Sequence, residues 1–279
     1  MGQATDFHQD GYLFLLSSDR SVDAFRRNVA LQRRLGVDVE WLDGEQAARL
    51  APGLDVRGVT GATFCARDGI ADPNGVTMGF ARAAQAAGVS IEKRVEATGI
   101  TLSNGRVAAV HTTNGMVSTP IVVNAAGPWA RRVGRFAGVD VPVDPLRRHI
   151  FIASFDGAAA PAVPRSHIMV IDFDTTFYFH REGAGVLFGM GDPREAPTFD
   201  TTVQWDFLPQ VIDVAVTRLP ALASASISHA WAGLYEMSPD GNPIIGATPV
   251  DGFYVISGFS GHGFQHSPAA GRILSLIHI

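Results

Sequence analysis

Three glycines fall within six residues in Gly258-Phe-Ser-Gly-His-Gly-Phe264, after the apolar run Phe253 to Ser257 and before a helical stretch from Ser267 to about Leu276. Glycines this dense destabilise a loop unless the backbone needs positive φ or must approach another group closely. A flat ring lying against the loop would require both. A second segment, Ile121-Val-Val-Asn-Ala-Ala-Gly127, ends an apolar strand in three tiny residues before a helix that begins near Pro128-Trp129. Small side chains and free amides at a helix start suit an anion such as a pyrophosphate. Both segments also suit plain strand-to-helix turns, and spacing leaves the two readings open. A third segment, Trp231 to Gly246, carries the turn signal Ser-Pro-Asp-Gly and delivers Pro243-Ile-Ile-Gly246 as an apolar strand end.

Other chemistries match less well. His262 and His266 stand four apart, but the intervening Gly-Phe-Gln lacks the glutamate of His-Glu-x-x-His. In Gly258-Phe-Ser-Gly-His262 the histidine replaces the last glycine of Gly-x-Ser-x-Gly, which argues against Ser260 as a hydrolase nucleophile. The single cysteine, Cys65, allows neither an intramolecular disulfide nor a cysteine metal site, and no metal is expected. Lys93 is the only lysine, so any lysine chemistry must use it.

The elements that would position these segments alternate in type. Residues 11–16 read as a buried strand. A helix capped by Ser21 follows, with Val22, Phe25, Val29, Leu31 and Leu35 on one face and Gly36 at its end. Val37 to Leu42 reads as a strand, Asp43 starts a helix that stops before Pro52, and Asp72-Pro73 starts another that ends at Gly88. Val89 to Val95 alternates as a strand, and three more are expected over 97–102, 106–112 and 116–123. From 139 to 232, strand-like stretches (149–153, 168–172, 176–180, 185–189) surround one amphipathic helix at about 203–219, the look of a mixed or antiparallel sheet. The expected fold class is α/β (α+β), with two interleaved regions: 1–66 and 139–230 as one, 67–138 and 231–279 as the other.

A net charge of −5 with no block of like charge argues against a nucleic-acid surface or a polybasic membrane patch. The arginines at 26–27 and 33–34 read as a solvated helix face. No apolar run is long enough to span a bilayer, and the polar start Gln3 to Asp10 is unlike a secretory signal. A cytoplasmic or matrix-type compartment is the expectation.

The order Asn-Ala-Ala-Gly-Pro-Trp129, Trp-Ala-Gly-Leu234, Pro-Asp-Gly-Asn-Pro-Ile-Ile-Gly246, Gly-Phe-Ser-Gly-His-Gly-Phe264 resembles the D-amino-acid oxidase superfamily over nearly the whole chain. Within it, the group of glycine oxidase, sarcosine oxidase and dimethylglycine dehydrogenase is the most similar. The resemblance implies a domain that binds FAD, interleaved with a substrate domain on a mixed or antiparallel sheet. It implies that a strand ending at Val95 offers backbone groups to the adenine, and that Ala125, Ala126, Gly127 and Trp129 line the nucleotide. Gly233, Ile244 and Ile245 would lie near the flavin, bordered by Gly258, Phe259, Ser260, Gly261, His262, Gly263, Phe264 and Gln265. The implied reaction is oxidation of a C–N bond in a small amine or amino acid (sarcosine, dimethylglycine, glycine or proline) by hydride transfer to FAD, with the imine then hydrolysed. Such chemistry needs no obligatory side-chain base, so His262 is assigned to the flavin loop and no catalytic residue is named.

Several positions depart from the family. The Gly-x-Gly-x-x-Gly turn that opens it is not in this chain, which reads as lacking a first βαβ unit of about 30 residues or more. The apolar ending Leu274 to Ile279 adds to the expectation of a gene fragment, and the alternative is a non-catalytic piece unable to bind FAD alone. Gly233 stands where the sarcosine oxidase branch carries a flavin-linking cysteine, so FAD is expected to be non-covalent there. Leu187 stands where that branch has an oxygen-activating lysine, which favours an electron acceptor other than O2. Tyr235 and Gln265 replace carboxylate-binding arginine and lysine positions. The expected substrate contacts are therefore Tyr178, Tyr235, Gln265 and Arg181, and a substrate carboxylate is expected to be held by Arg181, Arg148 or a residue of the missing N-terminal part.

Overall fold

The computed structural model describes residues 2–155 and 163–277. Along the chain come β1 (Tyr12–Leu16), α1 (Asp19–Arg34), β2 (Glu40–Leu42), α2 (Gly44–Leu50), β3 (Gly61–Cys65) and α3 (Pro73–Ala86). Then follow β4 (Ala97–Ser103), β5 (Arg106–Thr112), β6 (Gly115–Ser118), β7 (Val122–Asn124), α4 (Ala130–Phe136) and β8 (Asp144–Ser154). The remainder holds β9 (Met169–Asp172), β10 (Phe177–Glu182), β11 (Gly185–Met190), α5 (Leu208–Arg218), β12 (Ser226–Met237), β13 (Ile244–Ala247), β14 (Phe253–Ser257) and α6 (Gly263–Ile277). Two interleaved units result: Met1–Phe80, Arg148–Pro193 and Thr202–Ala232 form the first, and Ala81–Arg147, Arg194–Thr201 and Gly233–Ile279 the second. His278 and Ile279, the end of the apolar terminal run, lie outside the described residues.

The first unit is built on an eight-stranded sheet of order β12-β8-β11-β10-β9-β1-β3-β2. Most pairings are antiparallel, and β1 with β9 is parallel, so the sheet is mixed, as expected from the sequence. One face is buried, where Leu13, Leu15, Phe151, Phe177, Phe179 and Phe188 pack with Val211, Ala215 and Leu219 from α5 and its C-terminal end. The period of two along each strand turns the neighbouring residues to the other face.

Within this core lies an ion pair. Arg218 Nε donates to Asp172 Oδ2 at 2.6 Å, and its other nitrogens donate to the Arg57 carbonyl and the Ser17 hydroxyl at 2.9 Å each. Asp172 is 1 % exposed, and its partner is the guanidinium beside it, as a buried carboxylate requires.

The second unit holds two three-stranded sheets, β13-β14-β7 and β4-β5-β6, around a smaller core of Val107, Ala130, Val141, Val143, Phe253 and Val255. Four expectations change here and in the first unit. Ser18, not Ser21, caps α1: its side chain accepts the Ser21 amide, and the carboxylate of Asp174 fixes both serines. Val37–Leu42 shrinks to the three residues of β2. Residues 89–95 form no strand, because no described strand runs alongside to take their hydrogen bonds. The run 116–123 divides into β6 and β7: Pro120 lacks an amide and ends the first ladder, and β7 joins a different sheet.

Replacing Arg218 by alanine is expected to cost about 3–5 kcal/mol, since it strands a buried carboxylate. The double change Arg218→Leu/Asp172→Leu is expected to recover much of that. Urea unfolding of the three proteins measures both.

Candidate functional site

In the second unit, β14 is paired on one side with β7, in parallel, through Phe253↔Val122 and Val255↔Asn124. Parallel pairing brings the two strands' C-terminal ends to the same edge. The turn Ala125-Ala126-Gly127 therefore emerges beside the loop that starts at Gly258. On the other side β13 is antiparallel, with Ile244 opposite Ser257 and Ile245 opposite Ile256. The three glycine-containing segments singled out in the sequence are thus brought together at the carboxyl end of a small sheet, where open α/β sheets bind ligands.

A carboxylate ties them. Ser257 Oγ donates to Glu236 Oε2 at 2.6 Å, and the Gly127 carbonyl lies 3.2 Å from the same hydroxyl. The Gly258 amide donates to Glu236 Oε2 at 3.1 Å, and the Ser260 amide to the Glu236 carbonyl at 3.0 Å. Ser260, held at φ 53°, accepts the Ser238 amide on its hydroxyl and donates back to the Gly258 carbonyl. At Gly261, φ is 91° and a Cβ would stand 2.4 Å from the Tyr235 ring. Only glycine satisfies both demands. On the other turn, Asn124 is 1 % exposed and closes the entry to α4, its amide donating to the Ala130 carbonyl at 2.8 Å and its carbonyl oxygen accepting from Ala126.

Helix α6 begins at Gly263, four residues earlier than the sequence suggests, so Gly263, Phe264 and Gln265 form its first turn rather than the loop. Their amides have no acceptor among the described residues and carry the positive end of a fifteen-residue helix. The helix continues through Pro268 because the Ser267 hydroxyl donates to the Phe264 carbonyl at 2.9 Å, the acceptor that the missing proline amide would have served. His262 is exposed and stacks on His266, with ring centroids 5.9 Å apart. Gln265 is exposed as well.

The strand that the sequence reading ends at Val95 does not form. Val95 lies in irregular chain two residues ahead of β4, at the end of no strand. Trp129 stacks on Phe199, with centroids 5.7 Å apart. Gly233 and Gly246 have open space where a side chain would begin.

In the first unit, Tyr178 and Arg181 both belong to β10, but their odd spacing turns them to opposite faces of the sheet. Arg181 shares the side of Phe177 and Phe179. Tyr178 shares the other with its cross-strand partners Ile171 and Gly189, with Ile150 beyond Gly189 and with Leu187, two residues along β11. Its ring lies over Gly189, where a Cβ would stand 2.5 Å from the phenolic oxygen. Arg148, two residues before Ile150 on β8, faces the same way and lies beside Gly191. His180, also on this side, is pushed below the ordinary imidazole range by burial, and its Nδ1–H donates to the Arg181 carbonyl at 2.7 Å.

Against known proteins, the family model for "FAD dependent oxidoreductase" matches residues 1–276. The chain belongs to that family. It is 34% identical to the solved structure of L-proline dehydrogenase from P. horikoshii, with a TM-score of 0.88 over 97% of this chain and 72% of that one. It is 30% identical to the mitochondrial sarcosine dehydrogenase of Homo sapiens over 99% of this chain and 32% of the relative. To sarcosine oxidase subunit beta of Rhizobium meliloti it is 29% identical over 94% of this chain and 63% of the relative. The chain thus spans about a third of the first of these curated relatives and under two thirds of the second. No helix among the described residues is long and apolar enough to cross a membrane.

Sequence reasoning missed Glu236, which lies in a strand between Tyr235 and Met237 with no spacing signal of its own. Glu236→Ala is expected to lower stability by about 1–3 kcal/mol, because it strands a serine hydroxyl and a loop amide. Glu236→Gln keeps an acceptor oxygen and is expected to cost less. Denaturant titration of the two variants tests the ranking.

Proposed function

We propose that the protein of which this chain is part oxidises a C–N bond in a small amine or amino acid of the sarcosine, dimethylglycine, glycine or proline class, using FAD. The observation that carries the reading is the convergence of the Gly127 turn, β13 and the Gly258 loop at one end of a small sheet, where the loop leads into α6, whose first-turn amides have no acceptor among the described residues. The residues fit the cofactor. The open space over Gly233 and Gly246 admits a flat ring close to the backbone, and no side chain rises from Gly261. FAD supplies the two-electron acceptor for the substrate's hydride.

The chain's own contributions are positional. Amides of Gly263, Phe264 and Gln265, which have no acceptor among the described residues, would stabilise negative charge on the reduced cofactor. The turn Ala125 to Gly127 accompanies the nucleotide, with Ile244, Ile245 and the loop from Gly258 to Gln265 bordering the ring. Gly233 offers no thiol, so attachment at that position is non-covalent. For the substrate, Arg148 replaces Arg181 as the preferred carboxylate partner because it shares a sheet face with Tyr178. In the second unit, Tyr235 packs on the loop at Gly261, and Gln265 lies in the first turn of α6. Leu187, on the Tyr178 face, offers no positive charge to activate oxygen, and we assign electron transfer to an acceptor other than O2. A reducing compartment accords with the lone cysteine, Cys65, which is buried and whose thiol burial pushes up, away from reactivity.

Purified protein is expected to take up FAD and turn yellow. Anaerobic addition of L-proline, sarcosine, dimethylglycine or glycine should bleach it, and an artificial acceptor should restore the colour faster than air. A protein that binds no flavin under any condition overturns the reading in favour of a non-catalytic piece. Arg148→Gln is expected to raise KM for the carboxylate substrate roughly 10- to 100-fold, the worth of a charged hydrogen bond of about 1.5–3 kcal/mol. Arg181→Gln is expected to leave KM within a few-fold, and steady-state kinetics distinguishes the two.

A further inference from the structure

The first unit carries a second group of ligand-type side chains that flavin chemistry does not use. His8, Asp10 and His167 each present a donor atom, and the three donors lie within 4.8 Å of one another. Asp10 and His167 are 157 positions apart in the chain, so only folding joins them. We propose that they form a binding site for a first-row transition dication of the zinc, cobalt or nickel class.

Main-chain hydrogen bonds fix the backbone that carries the three residues. His8 exchanges both main-chain hydrogen bonds with Ile70, at 2.9 and 3.0 Å. Gly69 packs so tightly on the His8 carbonyl that a Cβ there would stand 2.2 Å away. Next along the chain, the Gly11 amide donates to the Asp68 carbonyl and the Gly11 carbonyl accepts from Met169. Asp10 Oδ2 accepts the His167 amide at 2.8 Å. Its carboxylate is thereby fixed beside the second imidazole, with His167 Nδ1 at 3.5 Å from the same oxygen.

The two imidazoles lie face to face, with centroids 3.9 Å apart and planes tilted by 24°. Ligands on a tetrahedral zinc-type ion stand about 3.4 Å apart, given bonds of about 2.0–2.2 Å. The His167–Asp10 pair already matches that span, and small side-chain rotations bring in His8. Asp6 Oδ1 stands 3.2 Å from His8 Nε2, the kind of outer carboxylate that orients a ligating imidazole. Two nitrogens and one carboxylate oxygen select borderline transition ions over magnesium or calcium, which take all-oxygen sets. The half-exposed position leaves a coordination place for water. Bound there, the ion would staple residues 8–10 to the chain entering β9.

The test uses chelator-treated protein free of any histidine tag, titrated with Co2+ by calorimetry and visible absorption. One Co2+ per chain is expected, displaced by Zn2+ and indifferent to Mg2+. His8→Gln, Asp10→Asn and His167→Gln should each weaken binding about tenfold or more. His8 is at the surface, so its variant reads the site even if His167→Gln folds poorly. His266→Gln serves as the control, because His262 and His266 are the other stacked pair. Absence of saturable binding, equal affinity in the parent and the His8 variant, or loss of binding through His266→Gln alone overturns the proposal.

Discussion

The shape of the Gly258 loop depends on Glu236, whose side-chain oxygen takes the Ser257 hydroxyl and the Gly258 amide while its carbonyl takes the amide of Ser260. A loop this rich in glycine has many backbone states to lose, and fixed acceptors must offset that entropy. Glu236 does so from within β12, a strand rather than a loop. The same hydroxyl lies beside the carbonyl of Gly127, so the two turns share a reference point. The open α6 amides take their direction from this frame.

In the first unit, Asp172 and Arg218 play a comparable role at greater depth. Their pair joins β9 to the end of α5, and Arg218 also reaches Ser17 and Arg57. A buried pair of this kind adds little net stability over an apolar substitute, yet removing one member is severe. It acts chiefly to select one arrangement of these segments.

Much of this was legible in the residues. β14 from Phe253 to Ser257 and the mixed sheet follow from apolar runs and their alternation, while the shared role of the three glycine segments came from the family resemblance that their motifs carry. The opposed faces of Tyr178 and Arg181 were not legible, because the expected strand stopped at residue 180 and β10 runs on to Glu182, where an odd separation divides the two side chains. Other features had no local signal. Glu236 acts through partners some twenty positions away, and the three metal-ligand candidates meet only through the tertiary fold. Residues 89–95 alternate like a strand, but a pattern cannot supply the neighbour that a ladder needs. The early start of α6 was obscured because glycine and proline discourage a helix reading, and Ser267 compensates for the proline by a hydroxyl that propensity scales do not count.

The contact of Tyr178 with Gly189 bears on how such a protein diversifies. The phenol rests on a strand neighbour that has no side chain, so its position is set from β11 and not only by its own rotamer. A methyl group at 189 would press on the ring and, 2.7 Å away, on the backbone carbonyl of His149, so the phenol and the neighbouring strand would both shift while every residue assigned to the substrate stayed the same. Selectivity in a lineage built on this sheet can therefore drift through a buried, chemically silent position that comparison of pocket residues alone would overlook.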